Sequence, residues 1–231
     1  IIPQNSTFAA SMPVTYVTAH HMLHHLGNLK PTDSVLIHGG GGGVGTAALQ
    51  LCQWAGVTNV WSTASAGKAD IIRSYDAVAI DRHNENFVEI VRSQTNGRGV
   101  DHILDPIGGE HLKRSLSVLA QGGKLYTYGM SSAAPSSKRS LWKALKALRS
   151  RPRFDPMLMM SRNQGVFGVH MGTWNDENVM QEQMQNILKG INEGALTPII
   201  DSIYDAKDVA KAHQHIHDGK NIGKVLLKFV E

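Results

Sequence analysis

Between Val35 and Leu49 the chain reads Val35-Leu36-Ile37-His38-Gly39-Gly40-Gly41-Gly42-Gly43-Val44-Gly45-Thr46-Ala47-Ala48-Leu49. Glycine runs between polar residues are linkers, but this one joins a buried-strand pattern to an amphipathic helical one. A strand-to-helix bend without side chains exposes main-chain amides, and the helix dipole behind them favours negative charge. Gly40, Gly42 and Gly45 stand at the spacing G-x-G-x-x-G. The first glycine permits the tight turn, the second lets a diphosphate approach the backbone, and the third lets helix and strand pack closely. Gly43 and Val44 begin the helix and offer its first free amides. The chemistry implied is the cradling of a dinucleotide.

Which dinucleotide depends on the end of the second strand, where an Asp or Glu accepts hydrogen bonds from ribose hydroxyls in NAD-binding versions of the motif. Here that stretch is Ser62-Thr63-Ala64-Ser65-Ala66-Gly67-Lys68, with no acid before Asp70. Ser65 offers a hydroxyl and Lys68 a positive charge to a 2′-phosphate, and Arg82, after the third strand, adds a bidentate fork. NADPH is therefore expected in preference to NADH.

Two other reactive sets carry less. Cys52 is the only cysteine, so no internal disulfide and no cysteine-based four-ligand zinc site can form, and its neighbours Leu49, Leu51 and Trp54 mark it as a small buried hydrophobe. His20/His24 and His21/His25 share helical faces at a spacing that suits zinc or nickel. Ala19, Met22, Leu23 and Leu26 take the apolar stripe, and no acid lies on that helix, so the histidines are assigned to a solvated or interdomain face and no metal site is expected. His213, His215 and His217 share no single face.

The net charge of +4 is modest, and 42% hydrophobic with 18% charged residues is ordinary for a soluble globular protein. No window approaches a membrane span. The opening residues Ile1 to Asn5 lack a leader pattern, which together with the single cysteine gives the expectation of a cytoplasmic protein. Positive charge concentrates between 138 and 153, where Lys138, Arg139, Lys143, Lys146, Arg149, Arg151 and Arg153 flank Leu141, Trp142, Leu145 and Leu148 without an acid. Such a segment either packs its leucines on the sheet or a second subunit, or lies on an anionic membrane surface. The basic balance alone does not lead to nucleic acid as a partner.

The elements that must position the glycine turn form an α/β alternation, the pattern of a doubly wound parallel sheet. Strands are expected at Val35–Ile37, Asn59–Ser62, Val78–Ile80, Val100–Leu104 and Lys124–Tyr128. Helices are expected at Val44–Ala55 (closed by Gly56), Asn84–Gln94 and His111–Leu119. After the insertion Ser131 to Arg162, a sixth strand is expected at Val166–Val169. Asn175 is read as the cap of a helix bearing Met180, Met184, Ile187, Leu188 and Ile191 on one face. Strands at Ile199–Tyr204 and Val225–Phe229 then flank a helix over Ala206–His217.

With these residues in view, the chain resembles the zinc-free quinone-oxidoreductase branch of the medium-chain dehydrogenase/reductases, and within it most closely the vesicle amine transport protein homologues. The resemblance rests on Ala9 through His20, Lys30-Pro31, the glycine turn, Ser62 to Ser65, Asp105-Pro106-Ile107-Gly108-Gly109, Tyr128-Gly129-Met130 and Asn221 to Leu227. It implies a Rossmann domain (13–172), reached through a linker (1–12) from a GroES-like domain absent here, and a C-terminal segment (173–231) that would pack on that missing domain. It also implies Thr18 beside the nicotinamide, Gly129 and Met130 beside its ribose, and Phe167 and Gly168 at its carboxamide. Asn221 would close the cofactor site.

The expected activity is hydride transfer from NADPH to a quinone, enone or activated carbonyl substrate, without a catalytic metal or an assignable catalytic side chain, in a homodimer. The isolated fragment is not expected to turn over efficiently. The alternative is a membrane-surface or scaffolding protein that keeps the dinucleotide fold with little catalysis.

Overall fold

The structure is a computed structural model that describes residues 6–133 and 153–229, with Leu145. The rest of the basic stretch 138–152 lies outside the described residues. Six strands, β1 (Ser34–His38), β2 (Asn59–Ala64), β3 (Val78–Asp81), β4 (Val100–Asp105), β5 (Leu119–Thr127) and β6 (Gly165–Gly168), form one sheet in the order β3-β2-β1-β4-β5-β6. Every pairing in it is parallel. This is the doubly wound order expected from the alternation. The chain reverses direction across the sheet between β1 and β4, and ligands bind beyond the strand ends at such a point.

Side-chain alternation divides the core between the two faces. Val35 and Ile37 point into one cluster with α2 (Pro13–His20), the π-helical turn His21–Leu26 and α3 (Gly43–Trp54). Leu36, Ile103 and Leu125 point into the other, under α5 (Phe87–Gln94) and α6 (His111–Ser117). Burial on both faces is why these strands read as continuous apolar runs. Pro13 opens α2 in a position where its missing N–H costs nothing. Gly56, at φ +75°, follows the end of α3 as expected.

Several boundaries differ for local reasons. α5 starts at Phe87 because Asn86 caps it, its side-chain oxygen accepting from Val88 N at 3.2 Å. α6 stops at Ser117, and β5 begins at Leu119, which pairs with Val100; the register shift before His102 absorbs the turn at Gly122, φ +77°. The insertion contains α7 (Pro156–Arg162), capped by Asp155 and ended by Asn163 in the left-handed region. Asp176, not Asn175, caps α8 (Glu177–Asn192), because its carboxylate accepts from Val179 N at 3.1 Å.

The C-terminal residues form α8, β7 (Ile200–Asp205), α9 (Val209–His217) and β8 (Lys224–Lys228), with β7 and β8 paired in parallel. α8 places Ile187 in the core shared with α2 and α3. Gln50 of α3 is buried and fully engaged: it accepts from Tyr16 Oη (2.8 Å) and Thr197 N (2.8 Å) and donates to Tyr75 Oη (3.0 Å) and Thr197 O (2.9 Å). Residues 6–11, within the expected linker, form the short helix α1.

The assignment of the histidine cluster to a solvated face is corrected by packing. His20 and His21 are 6% and 2% exposed, covered by α8 and Trp174, whereas His25 faces solvent. Burial, reinforced by neighbouring His24, His25 and His21, pushes His20 down to about 3 from an ordinary 6.5, and His21 and His24 are lowered in the same direction. The unfolded chain therefore takes up protons below about pH 6.5 that the folded chain refuses, and stability falls as pH drops through that window. Between about pH 7 and about pH 5, His20 alone should cost roughly 2 kcal/mol. Urea unfolding at both values checks this, and His20→Gln should flatten the dependence by that amount.

Candidate functional site

The glycine turn lies where β1 runs into α3, and its shape is fixed by main-chain hydrogen bonds. Gly39 N and Gly40 N donate to Thr63 O at 2.9 and 3.1 Å, tying the turn to the end of β2, and Gly42 N donates to Gly39 O at 2.9 Å. Gly42 caps α3 in extended backbone without a side-chain partner. The amides of Gly43, Val44 and Gly45 thus form the open N-terminal turn of α3, each without an intrahelical acceptor.

The missing side chains have different causes. A Cβ on Gly40 would stand 1.9 Å from Ser62 Oγ, and one on Gly45 would stand 2.3 Å from Gly39 O, so these two glycines permit internal packing. A Cβ on Gly42 meets only Gly39 O, at 3.3 Å, so its bareness serves the open side of the turn. Gly41 lies under Lys68, and Gly43 under Thr15 and Lys224, with contacts of 2.4 to 3.0 Å for an added Cβ.

The C-terminal strands close on this turn. Gly223 N donates to Gly41 O at 2.9 Å, and Gly42 forms a parallel bridge with Gly223. Gly223 itself must be glycine: it has φ +78°, and a Cβ would stand 2.4 Å from Ile199 O. Asn221 uses its side-chain amide on Gly223 O (2.9 Å) and its own carbonyl accepts from Lys68 Nζ (2.5 Å). Ile222 N donates to Asp201 Oδ1 at 2.8 Å. The structure therefore brings Lys68 and Asn221 together at the edge of the glycine turn. Lys224 joins them, a residue that sequence reasoning passed over although it stands in the Gly-Lys pair beside Asn221.

Burial lowers the Lys68 ammonium from its ordinary value and nearby Arg82 lowers it further, while Asp201 opposes both. Two cations close enough to repel each other make a natural seat for a dianion. Lys68 has spent one of three N–H donors on Asn221. Arg82 is exposed, its main-chain N donates to Ala64 O (2.8 Å), and its guanidinium reaches His83 (3.0 Å). Ser65 is half-buried in a cleft of about 160 Å³ with Ala64, Ala66 and Asp81.

Beyond the ends of β5 and β6 opens a cavity of about 540 Å³ lined by Gly129, Met130, Gly168, His170, Thr173 and Trp174 among others. It unites three expected residues with three that no spacing marked, because the latter stand in irregular chain after β6. Phe167 does not line it: the ring stacks on Tyr126 at 5.7 Å between centroids. Nor does Thr18, which donates its hydroxyl to Val14 O at 2.6 Å within α2.

Next to the turn, Asp105 is buried and accepts four hydrogen bonds, from Ile107 N (2.8 Å), Gly108 N (3.0 Å), His111 Nδ1 (2.9 Å) and Ser115 Oγ (2.8 Å). Burial alone would raise this carboxyl, but these donors hold it below the ordinary carboxylate range. His38 contacts Thr63 Oγ1 at 3.0 Å and Ser115 Oγ at 3.2 Å, and burial keeps it neutral. The Asp-Pro-Ile-Gly-Gly motif is thus a saturated brace that holds the loop after β4.

A family profile described as zinc-binding dehydrogenase matches residues 75–227. The chain belongs to this family. The synaptic vesicle membrane protein VAT-1 homolog of Rattus norvegicus is 34% identical over 231 residues, an alignment covering 98% of this chain and 57% of that protein. The chain thus spans little more than half the length of such relatives. Among solved structures, a mycobacterial protein complexed with NADPH superposes at a TM-score of 0.81 with 27% identity, over 97% of this chain and 66% of that one. The CurK enoyl reductase superposes at 0.76 with 26% identity, over 96% and 62%. The resemblance to the medium-chain dehydrogenase/reductases, and to the VAT-1 homologues among them, is borne out.

The family's description names zinc, for which Cys52 and the histidine–aspartate cluster at Asp105 are the candidate ligands. Burial pushes the Cys52 thiol up to about 12, so it offers no thiolate. The cluster His38, Asp105 and His111 brings three ligand atoms within 4.8 Å, yet its facing atoms are committed to the hydrogen bonds above. These residues do not fit a resident zinc.

Two glycines separate stability from binding. Gly45→Ala should lose about 3 kcal/mol or more through backbone overlap, read by urea unfolding. Gly42→Ala, at an ordinary φ of −86°, should change stability by less than about 1 kcal/mol. Its methyl group should nonetheless weaken NADPH at least about tenfold by calorimetry, a loss of about 1.4 kcal/mol.

Proposed function

We propose that this chain is the NADPH-binding part of an oxidoreductase that delivers hydride to a quinone, enone or activated carbonyl compound. The observation that carries the reading is the open amide turn at Gly42 to Gly45, flanked by Lys68 and Arg82 and without an acid at the end of β2. The amides of Gly43, Val44 and Gly45 would hold the diphosphate, with the positive end of α3 behind them. Lys68, Arg82 and Ser65 would take the 2′-phosphate, where charge-assisted hydrogen bonds distinguish it from a plain hydroxyl. The bound dinucleotide supplies the hydride. Gly129, Met130 and Gly168 would border the nicotinamide end, where the cavity's apolar wall of Met130, Val169 and Trp174 would limit water. The solved relative complexed with NADPH and the enoyl reductase support cofactor and substrate class, respectively.

Among the described residues β6 ends the sheet with an unpaired edge, which supports homodimer formation through that strand. A cytoplasmic, peripherally membrane-attached protein is the second reading, and α7 favours it. Met157, Leu158 and Met160 are 71%, 52% and 68% exposed just after the basic stretch, and among the described residues no helix is long and apolar enough to cross a membrane.

Calorimetric titration should show NADPH binding tighter than NADH. Arg82→Ala, which touches no part of the turn, should weaken NADPH about tenfold or more while leaving NADH within about threefold. Undetectable binding of both cofactors would end the proposal, and tighter NADH would end the 2′-phosphate assignment. For the surface reading, replacing Lys143, Lys146 and Arg149 by Glu should abolish sedimentation with phosphatidylserine vesicles; unchanged sedimentation rejects it.

A further inference from the structure

The loop that follows α9, residues 219–223, runs beside both cations flanking the glycine turn. Lys68 Nζ donates to Asn221 O at 2.5 Å, and a Cβ added to Gly219 would stand 3.7 Å from Arg82 Nη2. The same loop rests on the turn itself, where Gly223 N donates to Gly41 O at 2.9 Å. A loop in this place sets where the Lys68 ammonium stands, provided that something fixes the loop. The Asn221 side chain does not, because its amide donates to Gly223 O within the loop (2.9 Å).

The fixing group is Asp201. In the pairing of β7 with β8, Ile200 stands opposite Lys224 and Ser202 opposite Val225, so Asp201 is the extra residue of a bulge. A bulge takes one residue out of the ladder and re-aims its side chain, and bulges gather next to active sites. Here the re-aimed carboxylate meets the loop. Its Oδ1 accepts from Ile222 N at 2.8 Å, and its Oδ2 accepts from His215 Nε2 at 2.7 Å and Ser202 Oγ at 2.9 Å. His215 stands on α9, so one carboxylate grips both the loop and the helix that leads into it. Burial alone would raise Asp201, but these donors hold it below the ordinary carboxylate range, and the bonds to it are charge-assisted. Its charge also reaches Lys68, where it opposes the lowering caused by burial and by Arg82.

We propose that Asp201 is a positioning residue for coenzyme selection: by locking Ile222 it holds the Asn221 carbonyl in place, and that carbonyl holds Lys68 beside the glycine turn. The inference rests on the cofactor reading above and names a residue that acts on the 2′-phosphate without touching it. An ammonium already held in place has given up the rotamer freedom that binding would otherwise cost. Without the carboxylate, Ile222 N loses its acceptor, the loop loosens and Lys68 regains that freedom. The diphosphate amides of α3 are not involved. The loss should therefore fall on NADPH, whose extra phosphate uses Lys68, and spare NADH.

Calorimetric titration of the full chain with NADPH and with NADH tests this in wild type, Asp201→Ala, Asp201→Asn, Lys68→Ala and the double variant of Lys68→Ala with Asp201→Ala. Asp201→Ala should weaken NADPH about tenfold and leave NADH within about threefold. Asparagine still accepts from Ile222 N, so Asp201→Asn should hold NADPH within about threefold of wild type. Because Asp201 acts through Lys68, adding Asp201→Ala to Lys68→Ala should weaken NADPH by less than about threefold more. Should Asp201→Ala fail to fold, His215→Ala, at a half-buried ring, carries the test: a loss confined to NADPH supports the inference, and no loss or an equal loss of both overturns it. Equal loss of both coenzymes in Asp201→Ala, additive losses in the double variant, or Asp201→Asn no better than Asp201→Ala would each overturn it alone. Wild type that binds neither coenzyme, or prefers NADH, removes the cofactor reading and this inference with it.

Discussion

The structure depends on a stretch of backbone that carries no side chains. From Gly39 to Gly45 the chain leaves β1, bends back on Thr63 and enters α3. Gly40 and Gly45 allow that bend to close on Ser62 and on Gly39 itself. Gly42 leaves the first turn of the helix approachable from outside, while Gly43 lies under Thr15 and Lys224. An open helix N-terminus at the centre of a parallel sheet is an anion site by construction, because the amides there have no intrahelical partner and the dipole favours negative charge. The rest of the fold holds this turn still.

It is held from both sides of the sequence. β2 supplies Thr63 O and Ser62, and the segment before β8 supplies Gly223, whose amide reaches Gly41 O. Lys68 bridges the two by donating to Asn221 O. The last sixty residues therefore take part in the cradle, and Gln50, buried between Tyr16, Tyr75 and Thr197, couples them to α3 itself. Lys68, Arg82 and Lys224, the cations near the turn, come from three separate parts of the chain, so the charge beside the turn is set independently of its backbone.

The two buried histidine environments behave differently because their donors and acceptors balance differently. Around Asp105 every facing group is paired, and the carboxylate organises the loop after β4. Around His20 and His24, ring nitrogens and the Gln183 side-chain oxygen are buried without partners beside a cavity of about 470 Å³. Burial is similar in the two places. Full pairing of its polar atoms is what makes the first a brace.

The sequence by itself determined the sheet class, the position of the glycine turn and the lack of an acid after β2, because period, bare spacing and charge sign are local properties that need no partner. It placed most strands within a residue or two, and erred at Asn86, Asp176 and Leu119, where a cap or a pairing partner chose the boundary. Only the tertiary structure decided that Lys224 covers Gly43, that Phe167 turns its ring onto Tyr126 and that His170 and Trp174 border the cavity beyond the ends of β5 and β6. These are contacts between distant segments or within irregular chain, and spacing carries no signal for them. The same holds for His20 and His21: four histidines on one helix read as a polar face until α8, more than 150 residues later, is seen to cover them.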